Sequence, residues 1–228
     1  MWLNIANKLE DLDKILNRFI PESEISLLNS LKPQSPTSIS QELENILQLC
    51  QYYYEKTFHL FDITLQDFSR IKFYDNQCIS FTTPKLSLDL GGFAKGYALN
   101  KIKTLLEQEN LENVFINFGN SSILGMGHHP YGDSWKVSFQ NPYNQTFLEE
   151  FSLKDCALST SGNTLQYNRH IINPLTGIYN GQRKATTVLS DDPIEAEVLS
   201  TVWMIADKEQ QKQMTEKFKN IQATLYYL

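Results

Sequence analysis

The chain has 228 residues, 41% of them hydrophobic and 20% charged, which is ordinary globular usage and excludes wholesale disorder. Twenty basic against 26 acidic residues leave a net charge of -6, against a general nucleic-acid binder, which needs a basic face for phosphates. No apolar run approaches the roughly 20 residues of a membrane span. Cys50, Cys78 and Cys156 are odd in number and widely spaced, so neither a zinc site nor a disulfide framework is expected from them. No basic segment followed by an apolar one opens the chain, so a cytoplasmic location is expected, or a periplasmic or envelope one if a leader has been removed.

Along the chain, Leu9, Leu12, Ile15, Leu16 and Phe19 recur at helical spacing up to Pro21. A short helical turn follows around Ile25–Asn29, then a loop from Lys32 to Thr37 with Pro33 and Pro36. Ser38 with Gln41 reads as a capping box. The stripe Ile39, Leu43, Ile46, Leu47, Cys50 and Tyr54 then predicts a helix to about residue 56. Residues 70–74 and 77–81 flank Asp75-Asn76 as a hairpin. A short strand is expected over Leu86–Leu90, a break at Gly91-Gly92, and a helix from about Ala94 to Gln108. Residues 114–118 read as a buried strand. Residues 135–139 and 147–153 read as antiparallel strands, and His170–Asn173 and Thr186–Leu189 as two more joined by Pro174-Leu175-Thr176-Gly177. Pro193–Ala206 reads as a helix with proline near its start, and Ala223–Leu228 as a last strand. Helices and strands in runs predict an α+β fold of mixed, largely antiparallel sheets packed with helices, in a single domain over 1–228.

Four stretches carry chemistry. In Asp89-Leu90-Gly91-Gly92-Phe93-Ala94-Lys95-Gly96, glycines precede a helix start with a lysine in its first turn. Free N–H groups and a positive dipole end there suit a phosphate; a tight turn with a surface lysine is the equal alternative. Glu197 and Thr201 lie four apart on one helix face, a carboxylate and a hydroxyl that suit a hard cation. Acids in a first helical turn also simply favour the dipole. His170, entering a strand, is a candidate general acid or base, although a lone histidine is more often structural. Ser159-Thr160-Ser161-Gly162-Asn163 is either a phosphate-binding or an ordinary turn.

Taken in order, Ser-Glu-Ile-Ser-x-x-Asn, Asp-Leu-Gly-Gly-x-Ala-Lys-Gly-Tyr, Asn-x-Gly, Thr-Ser-Gly, His-Ile-Ile-x-Pro-x-Thr-Gly and acid-x-x-Ser-Thr resemble the FAD:protein FMN transferases, the ApbE-like family, with a T-fold-related architecture. The resemblance runs from about Ile5 to the C-terminus. It implies Mg²⁺-dependent transfer of FMN from FAD to a Thr or Ser hydroxyl of a target protein, with release of AMP. FAD hydrolysis to FMN and AMP, or flavin or nucleotide binding without chemistry, are its alternatives. It implies a metal held by Glu197, Thr201 and the Ala94 carbonyl. Asn29, Asp89, Gly91, Gly92, Lys95, Thr160, Ser161, Gly162 and Thr176 would lie around FAD, with Lys95 and His170 catalytic. The chain departs from the family pattern at several points. An opening Met-Gly-Thr strand is absent, Glu197 replaces an aspartate, and Asn100, Asn120-Ser121 and Asn173 stand where acids are usual. Lost carboxylates weaken cation binding.

Overall fold

A computed structural model describes residues 1–165 and 171–228. The chain forms two compact units. One comprises Met1–Ala94 with Asn173–Ile178, the other Lys95–Ile172 with Tyr179–Leu228. The fold is α+β, and its sheets are antiparallel.

The first unit holds helices α1 (Trp2–Leu16), α2 (Glu24–Leu31) and α3 (Gln41–Lys56), and strands β1 (Thr37–Ser38), β2 (Ile71–Tyr74) and β3 (Cys78–Phe81) in the order β1-β3-β2. The first helix stops sooner than its apolar spacing predicts. The Asn17 side chain donates to Asp13 and accepts from the Phe19 N–H, which turns the chain and leaves Phe19 80% exposed. Ser40 caps α3 by accepting from Leu43 N–H, and Leu43, Ile46, Leu47 and Cys50 are fully buried. Tyr53, rather than Tyr54, completes the buried face, with its ring edge-on to Phe61 and Phe93.

The expected strand over Leu86–Leu90 does not form. Both backbone groups of Leu88 are taken by one side chain: Asn29 Oδ1 accepts from its N–H at 2.7 Å and Asn29 Nδ2 donates to its carbonyl at 2.9 Å. Asp89 N–H donates to the Ile63 carbonyl. The segment is extended and hydrogen-bonded, but without a partner strand.

The second unit carries most of α4 (Ala94–Gln108). Its central sheet runs β12-β11-β8-β5-β4, built from β4 (Val114–Phe118), β5 (Ser122–Met126), β8 (Cys156–Gly162), β11 (Lys184–Ser190) and β12 (Gln222–Tyr227). β4 is the edge strand, which is why its residues alternate between exposed and half-buried instead of being buried as expected. The hairpin β6 (Trp135–Gln140) and β7 (Phe147–Leu153) covers one face through Ile123, Phe151, Leu153 and Leu158. Helix α5 (Pro193–Trp203), capped by Asp192, packs on β8 and β11, and α6 (Lys208–Lys217) follows with a capping box from Asp207 and Gln210.

Strands β9 (Ile172–Asn173) and β10 (Ile178–Tyr179) pair with each other. The expected link from β9 to Thr186–Leu189 is therefore wrong. Asn173 accepts from Leu175 N–H through its side chain and from Gly177 N–H through its carbonyl, so the chain reverses at once. No helix among the described residues is long and apolar enough to cross a membrane.

Candidate functional site

The site forms where α4, α5 and the central sheet meet. Lys95 stands in the first turn of α4. Its next residue, Gly96, is where that helix crosses closest to α5: a Cβ there would lie 2.5 Å from the Pro193 carbonyl oxygen and 2.7 Å from the Glu197 Cβ. This approach lets the Lys95 ammonium reach Glu197 Oε1 in a short ion pair. The glycine of the Lys-Gly pair thus serves helix packing.

Glu197 is buried, with a side chain only 4% exposed. Its other oxygen, Oε2, accepts from Ser122 Oγ at 2.5 Å and Ser159 Oγ at 2.8 Å. These serines are direct cross-strand partners on β5 and β8, so the sheet register delivers two hydroxyls to one carboxylate. Ser159 Oγ also lies 3.1 Å from Ser200 Oγ, Ser161 Oγ lies 2.8 Å from Ser200 Oγ, and Ser161 Oγ lies 3.3 Å from Thr201 Oγ1. Hydrogen bonds to a charged acceptor contribute about 1.5–3 kcal/mol each, which explains how a carboxylate survives in this core.

Of the residues expected from the sequence, the fold brings Lys95, Ser161, Glu197 and Thr201 together. Thr160 does not join them, because neighbours on a strand face opposite ways and Ser159 and Ser161 take the α5 side. The stretch 159–162 is strand, not turn, and Gly162 packs so tightly on β11 that a Cβ would fall 2.9 Å from that of Ala185. Asn163 is wholly buried and bridges the carbonyls of Asn180 and Gln182. His170 lies outside the described residues. Ser122, Ser159 and Ser200 join the site beyond those expected. Ser159 and Ser200 lie inside the sequence motifs, whereas nothing local marks Ser122.

The first unit has its own pocket. Leu16, Asn17, Arg18, Phe19, Asp89, Leu90, Gly91 and Ala94 line an open cavity of about 100 Å³. Arg18 pairs with Asp89 Oδ2 at 2.7 Å and lies over the Phe19 ring, while Asp89 Oδ1 accepts from Gly91 N–H. Gly92 lies in the turn before α4. Asn29 is committed to Leu88, and Thr176 is exposed, its hydroxyl accepting from Ile178 N–H.

The donor set around Glu197 does not fit a divalent cation as it stands. Mg²⁺ takes about six oxygen ligands, one or two of them carboxylates with a free oxygen to offer. Here one carboxylate has both oxygens engaged, one by an ammonium and one by two hydroxyls. Among the described residues, no three His, Cys, Asp or Glu side chains gather to hold a metal.

Solved structures share this fold. The flavin transferase ApbE from Vibrio cholerae matches 98% of this chain and 83% of its own, at TM-score 0.85 and 21% identity. The ApbE protein from Thermotoga maritima matches 97% of this chain and 84% of its own, at TM-score 0.83 and 19% identity. The FAD:protein FMN transferase of Chlamydia muridarum is 28% identical over 209 residues, 74% of this chain and 63% of that relative. That of Chlamydia pneumoniae is 23% identical over 247 residues, 90% of this chain and 76% of the relative. The chain therefore spans less than two thirds of the length of the Chlamydia muridarum relative. The model described as the ApbE family matches residues 3–71 and 65–225. With that match running almost end to end and the fold in agreement, the chain belongs to the ApbE family.

Proposed function

We propose that this chain transfers the FMN half of FAD to a Thr or Ser hydroxyl of a protein acceptor and releases AMP. The acceptor oxygen attacks the FMN-side phosphorus, the bond to the bridging oxygen breaks, and AMP leaves with that oxygen. The hydroxyl proton passes to a base, for which His170 is the candidate. Family membership supports the reading. The observation that carries it is Lys95. Its side chain is one-third exposed on a helix N-terminal turn and its ammonium is anchored by a buried carboxylate, so the side chain is aimed yet accessible to an anion. Ser161 and Thr201 place two hydroxyls 3.3 Å apart in the network that extends from Glu197 through Ser159 and Ser200.

In the first unit, taken by itself, the Arg18 pocket holds a cation with an aromatic ring beneath it. The exposed Arg18–Asp89 pair is worth about 0–1 kcal/mol and yields readily to an anionic ligand. The Mg²⁺ implied by the resemblance does not match the donor set around Glu197, so no step is assigned to it.

The test is incubation of the protein with FAD and a threonine-bearing acceptor peptide, with Mg²⁺ and with a chelator, following AMP, FMN and peptide mass. AMP together with flavin bound to the peptide supports transfer. AMP with free FMN alone replaces transfer with hydrolysis. FAD binding without AMP makes the chain a binder. Lys95→Ala is expected to lower AMP release about 100-fold or more, the scale of removing a preorganised charge from a phosphoryl site.

A further inference from the structure

The disagreement between the donor set and a metal has a specific cause, and it is a lysine. Glu197 cannot turn away from its partners: it is buried, Ser122 and Ser159 hold Oε2, and Ser200 donates to its backbone carbonyl at 2.9 Å. Lys95 can turn away, since its side chain is 35% exposed on a flexible stem. Thus Oε1 is the one position at Glu197 where the cation is exchangeable. Thr201, one helical turn further along α5, stands on the same helix face.

We propose that Lys95 is a tethered cation held at Glu197 in place of a divalent ion, so that Mg²⁺ or Mn²⁺ binds Glu197 only by displacing the Lys95 ammonium into solvent. A buried carboxylate needs one positive partner. The lysine supplies it permanently, at the effective concentration of a neighbouring turn, and a free ion must compete with it. Lysine and metal are therefore alternatives here. Divalent affinity is set by Lys95 as much as by the ligands. When an ion does bind, the ammonium is released to meet an anion. The inference concerns binding alone and stands whether or not the chain transfers FMN.

The experiment measures Mn²⁺ binding to the whole chain by electron paramagnetic resonance, without FAD, so its failure leaves the transfer reading untouched. Lys95→Met is expected to bind Mn²⁺ at least tenfold tighter than the unaltered protein. Lys95→Met with Glu197→Gln is expected to lose that gain. Equal affinity in Lys95→Met and the unaltered protein overturns the proposal, as does a gain that persists in the double variant. Because Lys95→Met exposes a buried charge to folding failure, a second measurement uses the unaltered protein. Lys95 acylation, read by mass spectrometry, is expected to rise several-fold as Mn²⁺ is raised. A rate that stays constant up to high Mn²⁺ overturns the proposal.

Discussion

No side chain fits between Gly96 and Glu197: a Cβ on the glycine would stand 2.7 Å from the glutamate Cβ. The crossing of α4 over α5 is therefore as close as backbones allow, and the Lys95–Glu197 pair depends on it. Gly96→Ala forces the helices apart, and overpacking of this kind costs about 1–3 kcal/mol. Urea unfolding should show that loss. It should be accompanied by weaker Lys95-dependent chemistry, because the ammonium moves with its helix.

Glu197→Gln keeps the shape and removes the charge. The amide oxygen still accepts from the serines, but its NH₂ faces Lys95, which loses its partner. A cost of about 1–3 kcal/mol is expected, read as a lower urea midpoint with an unchanged slope. Ser122→Ala removes one of the three donors to the Glu197 carboxylate and should cost about 1.5–3 kcal/mol.

Asn29 is expected to act on stability first. Asn29→Ala strands the N–H and carbonyl of buried Leu88, each worth about 1–3 kcal/mol when unsatisfied. Asn29→Asp still accepts from the N–H but no longer donates to the carbonyl, so it should fall between the two. Equal melting of all three proteins would instead give Asn29 a ligand-only role.

Two phenols should titrate late. Burial, then the charge of Asp67, pushes Tyr54 up to about 12 from the usual 10. Burial, then the hydrogen bond to Glu149, pushes Tyr226 up to about 12. A folded pKa above the unfolded one means stability that is present below pH 10 and lost as pH rises toward 12. Phenolate absorbance should show both groups in the late phase, and Tyr54→Phe and Tyr226→Phe should each remove one.

Local signals in the chain carried much of this outcome. The stripe Leu43–Ile46–Leu47–Cys50, the hairpin about Asp75-Asn76, the helix from Ala94 and the proline-started α5 all follow from periodicity and caps that neighbouring residues can enforce unaided. The order of the motifs along the chain is itself a family signature. Long-range pairing lay beyond such reading. Nothing near Leu88 announces that Asn29, 59 positions away, will take its backbone bonds and keep it from becoming a strand. Nothing near Ser122 announces that β5 will pair with β8 in the register that aims two serines at one carboxylate. Lys95 and Glu197 are 102 positions apart, and each alone reads as an ordinary charge on a helix. Their meeting turns a candidate metal ligand into half of an ion pair, because a buried charge takes whichever opposite charge the packing brings within reach.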